Sequence, residues 1–458
     1  MRTKSYAVIV AIVGSLFVAG TADARTFRVT KTGDPVPGSC TSGDCSLREA
    51  ILAANNDSAG PDRVILPNRR RPYRLAIANS GGGEDGNLEG DLDVTNDPLT
   101  IEHKRRGVAT IDGNDLDRVI DSFTRLTLKR IRVTGGAGDD GGGVNATNGL
   151  KLVRSRITAN QGDDGGGIQI DNVGNLTMLR SVVANNESSD DGAGITIRAE
   201  GSQVSIVRSR IVGNDANGNN SALGGGIDVS ANDVALTLSR STVDRNTALS
   251  NGGGLNADNP GSFTIKGSTF SRNSSGDEGG ALFLDSSTAR IVNSTFASNR
   301  TEAGGGAIFA NLADVSLNGV TVVRNRANTD SVPFSETGGG LANSSSTFSV
   351  RNSLISLNRL GPGVDNDCTG DPFCSGGGKL LSTLGPSAVC EGFDAPKDKV
   401  RSNPKIGKLA KNGGPTKTVA LRRGSAAIGN ARGSAPNRDQ RGRRRDPNPD
   451  SGAFERGA

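Results

Sequence analysis

The chain has 458 residues, a formal net charge of +5 and 65 glycines, but only 13 Phe, two Tyr and no Trp. Glycine is about twice as common as in an average soluble protein, yet it occurs in clusters and not at every third position, which excludes a collagen-like triple helix. After the first 24 residues no stretch is apolar over the ~18 residues that a membrane-spanning helix needs. The net charge is mild, and no aromatic residues are interleaved in the basic cluster Arg438–Arg445. Both features argue against a nucleic-acid partner.

The first 24 residues have the three parts of a secretory signal peptide. Basic Arg2 and Lys4 precede an apolar run over residues 7–19, and Ala22-Asp23-Ala24 provides a small-residue cleavage site. Cleavage after Ala24 leaves 51 basic and 47 acidic residues, a formal charge of +4. We therefore expect a secreted protein, found outside the cell or on its outer surface, with no stable membrane span.

The stretch CSLREAILAANND, residues 45–57, is the one clear helix. Ser46 and Glu49 form a capping box, and an apolar stripe follows at helical spacing. Cys40 and Cys45 lie close enough in sequence to close a local disulfide loop in an exported chain. This helix is expected to cover the end of the first coil of a repeat protein, where core and strand edges would otherwise be exposed.

The middle of the chain is a repeat that begins at glycine clusters spaced 24 to 34 residues apart. Irregular alternating stretches at 91–115 and 126–136 precede it. Each repeat reads G-G-G-Φ-x-Φ, a turn, Φ-x-Φ-x-x-S-x-Φ-x-x-N and a second turn, where Φ is apolar. The period of two predicts short strands with one buried face. The clusters begin at Gly141, Gly165, Gly192, Gly224, Gly252, Gly279, Gly304 and Gly338.

An asparagine closes every repeat at a fixed corner, and the serine five residues earlier is replaced once, by Val320. Stacked at the ~4.8 Å strand spacing, these amides can bond from coil to coil, and Asn tolerates the left-handed backbone that such corners need. The predicted asparagine ladder consists of Asn160, Asn186, Asn214, Asn246, Asn273, Asn299, Asn325 and Asn358.

A repeat of about 25 residues with three short parallel strands predicts an all-β fold, a right-handed parallel β-helix of about ten coils. A β-propeller needs longer repeats with hairpins, and a leucine-rich repeat needs a regular Leu pattern. We expect four parts: a signal peptide (1–24), an N-terminal cap with irregular coils (25–135), the repeats (136–362) and an irregular C-terminal cap (363–458).

Both ends of the chain resemble known families. RTFRVTKTGDPVPGSCTSGDCSLREAILAANN (25–56) is similar to the CSLREA domain of exported bacterial β-helix proteins. NPKIGKLAKNGGPTKTVALRRGSAAIG (403–429) and DQRGRRRDPNPDSGAFE (439–455) resemble the choice-of-anchor Q family. GGAL (279–282), FSRN (270–273) and FASN (296–299) also look like the short motifs of polymorphic outer-membrane proteins. The resemblance implies an exported or surface β-helix protein with no assigned reaction. Members often carry a sorting anchor, and because this chain stops at Gly457-Ala458 we expect release.

The remaining cysteines are Cys368, Cys374 and Cys390, which can form one bond and leave one thiol. The absence of C-x-x-C spacing argues against zinc. The resemblance to the choice-of-anchor Q family implies a Cys368–Cys390 disulfide, with Cys374 as the odd thiol.

Acidic pairs precede the first glycine clusters and are expected to stack on consecutive coils. Carboxylates ~5 Å apart repel, and a partly sheltered row could be relieved by Ca²⁺, which accepts oxygen ligands flexibly. Asp-Gly is also ordinary turn chemistry, and this interpretation is favoured. The candidate ligands are Asp139, Asp140, Asp163, Asp164, Asp190 and Asp191, and the last four are also the candidates for general acid–base work on a glycosidic bond.

The leading functional hypothesis is a non-catalytic surface or extracellular protein, expected to be monomeric, that binds glycans or cell-surface proteins on its repetitive polar faces. The alternative is a polysaccharide lyase or glycoside hydrolase that uses these carboxylates, with or without Ca²⁺. The sequence lacks the features that would support this alternative: it has no Trp on which a sugar could stack, no histidine in the repeats and no long loop that could form a cleft. The basic clusters Arg69–Arg71, Lys104–Arg106 and Arg438–Arg445 could meet acidic glycans, although a solvated surface is the favoured interpretation.

Overall fold

The computed structural model describes residues 24–457 except 59, 68, 82–85, 219–220, 329–337, 362–363, 372, 376, 382–394, 396–397 and 401. Residues 1–23 of the predicted signal peptide and Cys390 therefore lie outside the described residues. Four long sheets are formed by strands between residues 26 and 381, and these strands are two to six residues long.

Two of the sheets, named A and B here, carry thirteen and twelve strands. Sheet A consists of Thr26–Arg28, Asp62–Ile65, Leu99–Glu102, Leu126–Lys129, Leu150–Val153, Leu176–Leu179, Gln203–Val207, Val234–Ser239, Gly261–Lys266, Thr288–Val292, Asp314–Asn318, Thr347–Arg351 and Phe373–Ser375. Sheet B consists of Tyr73–Arg74, Ala109–Asp112, Ile131–Thr134, Arg156–Thr158, Val182–Ala184, Arg210–Val212, Thr242–Asp244, Thr269–Ser271, Thr295–Ala297, Thr321–Val323, Leu354–Ser356 and Leu380–Leu381.

The other two, sheets C and D, carry eleven and ten strands. Sheet C consists of Leu92–Val94, Ile120–Ser122, Val144–Ala146, Ile168–Ile170, Ile195–Ile197, Ile227–Val229, Leu255–Ala257, Leu282–Asp285, Ile308–Asn311, Leu341–Ser344 and Cys368–Gly370. Sheet D consists of Ala137–Asp140, Gln161–Asp164, Glu187–Ser188, Asp215–Ala216, Thr247–Ala248, Ser274–Ser275, Arg300–Thr301, Arg326–Ala327, Arg359–Leu360 and Val364–Asp365.

Within each repeat the chain passes through sheets D, C, A and B in turn, and each strand pairs in parallel with its equivalent in the next coil. The only antiparallel pair in the four sheets, within the described chain, joins 359–360 to 364–365. This is a right-handed parallel β-helix, with the hand that parallel crossovers adopt in almost all proteins. The predicted fold is therefore confirmed, but each coil has four strands where the repeat template predicted three. The additional strand in sheet D is only two residues long in most coils, too short to show alternation.

The core is formed by inward-facing apolar residues that stack on their equivalents. In sheet A, Leu126, Leu150, Leu176, Val204 and Leu236 lie in one register row, each at most 2% exposed. Because buried apolar residues stack on one another in register, insertions are confined to the turns.

The predicted asparagine ladder is present between sheets B and D. Each Nδ2 donates to Oδ1 of the equivalent Asn in the next coil at 2.9–3.0 Å, and the same Oδ1 accepts the backbone N–H of the preceding Asn at 3.0–3.1 Å. The ladder ends on Asp367, whose Oδ1 accepts from Asn358 Nδ2 at 2.9 Å. All eight asparagines are at most 1% exposed, so these bonds replace water.

A second ladder of serines lies at the corner between sheets A and B. The backbone N–H of Ser181 donates to Ser209 Oγ at 3.1 Å, and that of Ser209 donates to Ser241 Oγ at 3.0 Å. Where Val320 replaces serine, its N–H still donates to Ser353 Oγ at 3.1 Å. The two ladders hold both ends of each sheet B strand.

Glycine is required where the turn from sheet D to sheet C folds back over the next strand. Gly224 has φ +57°, and a Cβ there would lie 2.6 Å from Asp228 Cβ. The turn thus covers the outward middle residue of each sheet C strand, which explains why that residue is buried although it points away from the core.

The predicted N-terminal helix is confirmed as α1 (Leu47–Asn55), with Ser46 as N-cap and a complete capping box to Glu49. It packs against strands 26–28, 62–65 and 92–94, and its apolar stripe, Leu47, Ala50, Ile51 and Ala54, joins the main core. Arg48 is fully buried and pairs with Asp34, its Nε 2.9 Å from Oδ1.

Four of the five cysteines lie in described positions. Cys40 and Cys45 form the expected disulfide directly before α1. Cys368 is also disulfide-bonded, and Cys374 is an exposed free thiol.

The C-terminal segment, residues 403–457, contains an antiparallel hairpin of Ile406–Ala410 and Thr418–Leu421. It packs along the outer face of sheet B, where Thr269 Oγ1 donates to Lys417 O at 2.6 Å and Ala453 N donates to Thr321 Oγ1 at 2.8 Å. A second hydrophobic cluster, which includes Val323, Leu354 and Val419, fills this contact. The segment thus covers the side of the later coils.

Removing one ladder amide should destabilise the protein strongly. Asn246→Ala leaves the N–H and Nδ2 of Asn214 without their acceptor and removes the Nδ2 donor to Ile211 O. The expected loss is about 2–4 kcal/mol of unfolding free energy, measured by urea denaturation. Exposed Asn232 in a turn of the same coil is the control, and Asn232→Ala should change the unfolding free energy by less than about 0.5 kcal/mol. Equal effects of the two substitutions would contradict the ladder's role.

Candidate functional site

The acidic residues singled out in the sequence lie at the turn from sheet D to sheet C. Asp140 and Asp164 are register partners on adjacent strands. The backbone N–H of Asp191 donates to Asp164 Oδ1 at 3.2 Å, and that of Asp190 donates to Asp163 O at 2.8 Å. The three pairs are therefore brought together on consecutive coils. Asp139 and Asp163 are exposed, whereas Asp164 is buried.

The positive charge in this acidic row comes from Arg198, in the turn that follows sheet C. Its guanidinium contacts Asp164 Oδ2 closely and lies 3.7 Å from Asp140 Oδ1. Burial raises the pKa of Asp164, and the Arg198 charge opposes that rise. Ca²⁺ is the less favoured of the two interpretations of this row, and for these two carboxylates an arginine provides the positive charge.

Asp191 is engaged differently. Its Oδ1 accepts the N–H of Leu223 at 2.8 Å, and no arginine of the described chain is paired with it. Burial, with smaller contributions from Asp190 and Asp164, raises the pKa of Asp191 to about 6. This carboxyl group therefore changes its charge near neutral pH.

The acidic strip extends into sheet C through residues that the sequence analysis missed. Asp228 is the outward middle residue of Ile227–Val229, is fully buried, and accepts from Asn256 Nδ2 at 2.9 Å. Burial and the nearby Asp191 and Asp258 raise its pKa well above that of a free carboxyl group. Only the motif G-G-G-I-D-V, with Asp at the middle of the strand, could have indicated it.

An open groove of about 410 Å³ lies beside the strip on sheet D, lined by Asp139, Gln161, Asp163, Glu187 and Ser189, among others. Asp163 accepts a short hydrogen bond from Ser189 Oγ. Among the described residues, no group of three or more His, Cys, Asp or Glu side chains is arranged to hold a metal ion. The described part of the chain also contains no helix long and apolar enough to cross a membrane.

Comparison with known proteins gives a likeness to solved structures alone. No protein-family model matches the chain, and no curated protein does. The crystal structure of pectate lyase Pel9A is similar, with a TM-score of 0.44 and 15% sequence identity over 95% of this chain and 98% of that one. A likeness this weak carries no inference about activity, so the functional argument depends on the geometry of the surface.

Arg198→Gln should make the acidic row respond to calcium. Removing the guanidinium leaves Asp140 and Asp164 without their cation. The unfolding free energy should fall by about 1–2 kcal/mol, after allowance for the partial exposure of the arginine. In thermal unfolding, millimolar Ca²⁺ should raise the Tm of the variant and leave the wild type unchanged. Exposed, unpaired Arg290 provides the control variant Arg290→Gln. Calcium stabilisation of the wild type and variant alike would show a cation site independent of Arg198.

Asp191→Asn should flatten the dependence of stability on pH. The pKa of Asp191 is about 6 in the folded state, whereas that of an unperturbed aspartate is 3.8. The folded state therefore binds more protons in this interval, and wild-type stability falls as pH rises from about 4 to about 6.

The asparagine amide keeps an oxygen that accepts the N–H of Leu223. The unfolding free energy of the variant should exceed that of the wild type by about 1 kcal/mol at pH 7 but not at pH 3.5. Urea unfolding across this range measures the difference, with Asp139→Asn on the exposed turn controlling for loss of one charge. A gain that is the same at both pH values would refute the assignment.

Proposed function

We propose that the protein is an exported, non-catalytic β-helix protein of the CSLREA type that binds glycans or other partners at a cell surface. The signal-peptide pattern motivates export, and the Cys40–Cys45 disulfide fits an oxidising compartment. The resemblance of both chain ends to families of exported surface proteins also supports export.

The observation that carries the proposal is the in-register repetition of outward polar residues. On sheet A, Lys151, Thr177, Ser205, Thr237 and Thr264 follow one another as Cα partners. A polymer that lies along the coil axis meets an equivalent group at each ~4.8 Å step, so many weak contacts add together. A repetitive ligand therefore suits this surface better than a compact small molecule.

The carboxylates proposed for catalysis have other partners in the fold. Asp164 pairs with Arg198, Asp163 with Ser189, and Asp191 with the Leu223 amide. A glycosidase pair must instead hold a substrate bond between an acid and a base or nucleophile. These contacts favour binding over hydrolysis or elimination.

The test is a glycan array probed with the purified mature chain, run beside degradation assays on polygalacturonate and alginate with and without Ca²⁺. We expect saturable binding to at least one glycan class and no release of reducing ends or unsaturated products. Product release that Asp163→Asn and Asp164→Asn abolish, with unchanged Tm, would overturn the non-catalytic assignment. Absence of binding to every glycan and to intact cells would overturn the binding assignment.

A further inference from the structure

The corner between sheets A and B has a left-handed backbone in nine consecutive coils, with φ between 47° and 66°. Only glycine adopts this conformation freely, and Asn tolerates it better than other residues. In chain order the corner residues are Arg130, Arg154, Arg180, Arg208, Arg240, Gly267, Asn293, Gly319 and Asn352.

The residue type at this corner differs between coils that the C-terminal segment covers and coils that it does not cover. From Gly267 onwards the corners lie under the C-terminal segment. Asn293 Nδ2 donates to Arg438 O at 2.7 Å, and Asn352 Oδ1 accepts from Arg432 N at 2.8 Å. These covered corners are Gly or Asn, the residues that the backbone favours. The five corners outside the C-terminal segment are all arginine, which the backbone disfavours. At this corner, arginine in the disfavoured conformation recurs only outside the C-terminal segment, which indicates a role for its side chain.

Four of these arginines are available to a ligand. Arg154, Arg180, Arg208 and Arg240 are exposed, and in the described chain their side chains form no hydrogen bond or ion pair. Arg130 is half-buried and donates to the carbonyls of Lys104 and Arg105. We call the four exposed residues the arginine row. Like charges on neighbouring coils repel one another, and a bound polyanion would remove that repulsion.

Further cations flank the arginine row on sheet B. Arg156 follows two residues after Arg154, and Arg210 two residues after Arg208; both are exposed. At its far end the row enters a groove of about 600 Å³ whose lining includes Arg208, Arg210 and Arg240, together with Lys411 and Lys417 of the C-terminal hairpin. Asp244 also lines this groove, but Arg272 already neutralises it through contacts of 2.7–3.0 Å. The surface therefore carries uncompensated positive charge.

We propose that the arginine row binds an acidic polysaccharide, which lies along the coil axis and ends in the groove beside the C-terminal hairpin. This proposal deepens the proposed function and depends on it. Guanidinium groups ~4.8 Å apart can each take a carboxylate or sulfate, in the bidentate geometry that arginine prefers. The outward residues of this surface include no aromatic side chain on which a nucleic-acid base could stack, so a glycan is the polyanion that fits.

The test uses a row variant with Arg154, Arg180, Arg208 and Arg240 all changed to Asn. The protein itself places Asn at the equivalent corners 293 and 352, so the variant should fold with an unchanged or higher Tm. Its control changes Arg70, Arg71, Arg105 and Arg106 to Asn. Each set lowers the formal net charge from +5 to +1, so the two variants differ only in where the charge is lost.

Binding is measured by interferometry on immobilised polygalacturonate, heparin and dextran, at 50 and 300 mM NaCl, with duplex DNA and anionic vesicles as further probes. The wild type should bind one or both acidic polymers, more weakly at high salt, and dextran not at all; the two acidic arms distinguish carboxylate from sulfate. The row variant should lose roughly 10- to 100-fold in affinity, and the control variant less than about threefold.

Equal losses in the row and control variants would overturn the proposal, as would preferential binding of DNA or vesicles. Binding of dextran but of neither acidic polymer, with the same affinity in the row variant, would also overturn the acidic-polysaccharide proposal. It would leave the proposed glycan-binding function intact. Binding of no glycan in any arm would remove the proposed function as well.

Discussion

The structure depends on one contact that recurs through eight consecutive coils, the buried amide of an asparagine bonded to the same amide one coil away. Each of these side chains accepts from the coil before and donates to the coil after at about 3 Å. In the dry interior an unpaired amide would cost several kcal/mol in the worst case, so the coils must align residue on residue. The serine ladder at the other end of sheet B adds the same constraint.

Because register is preserved, any outward residue type that repeats in sequence becomes a straight row in space. The same rule produces surfaces of opposite charge. At the turn into sheet C it brings carboxylates together, and Arg198 and backbone amides satisfy them. At the corner into sheet B it brings arginines together, and nothing within the described chain balances the charge of Arg154, Arg180, Arg208 or Arg240. The first surface is internally compensated and the second is not, which is why the proposed ligand is assigned to the second.

The sequence predicted those features whose signal repeats or is local. The glycine clusters and closing asparagines indicated the β-helix, and Ser46 with Glu49 indicated the helix and its cap. Features that depend on contacts distant in sequence could not be predicted. Arg198 follows Asp164 by 34 residues and lies in a variable turn, so no motif connects them. The C-terminal segment reaches coils more than 100 residues earlier through hydrogen bonds such as that from Thr269 to Lys417, and its resemblance to a family said nothing about where it would pack. The corner arginines were visible as R-S motifs, but their left-handed backbone and their exposure were not.

Distances between spin labels on the outer face of sheet A test the register most directly. With Cys374 replaced, one label at position 151 is paired in turn with labels at 264, 290 and 316, which lie four, five and six strands further along one register row. Residues 151, 264, 290 and 316 are all exposed, so labels there should leave the core intact. A stacked coil predicts separations of about 19, 24 and 29 Å, an equal step for each strand whatever the number of residues between them. Separations that fail to increase in equal steps, or that vary with the length of the intervening turns, would contradict the stacking on which both the fold and the arginine row depend.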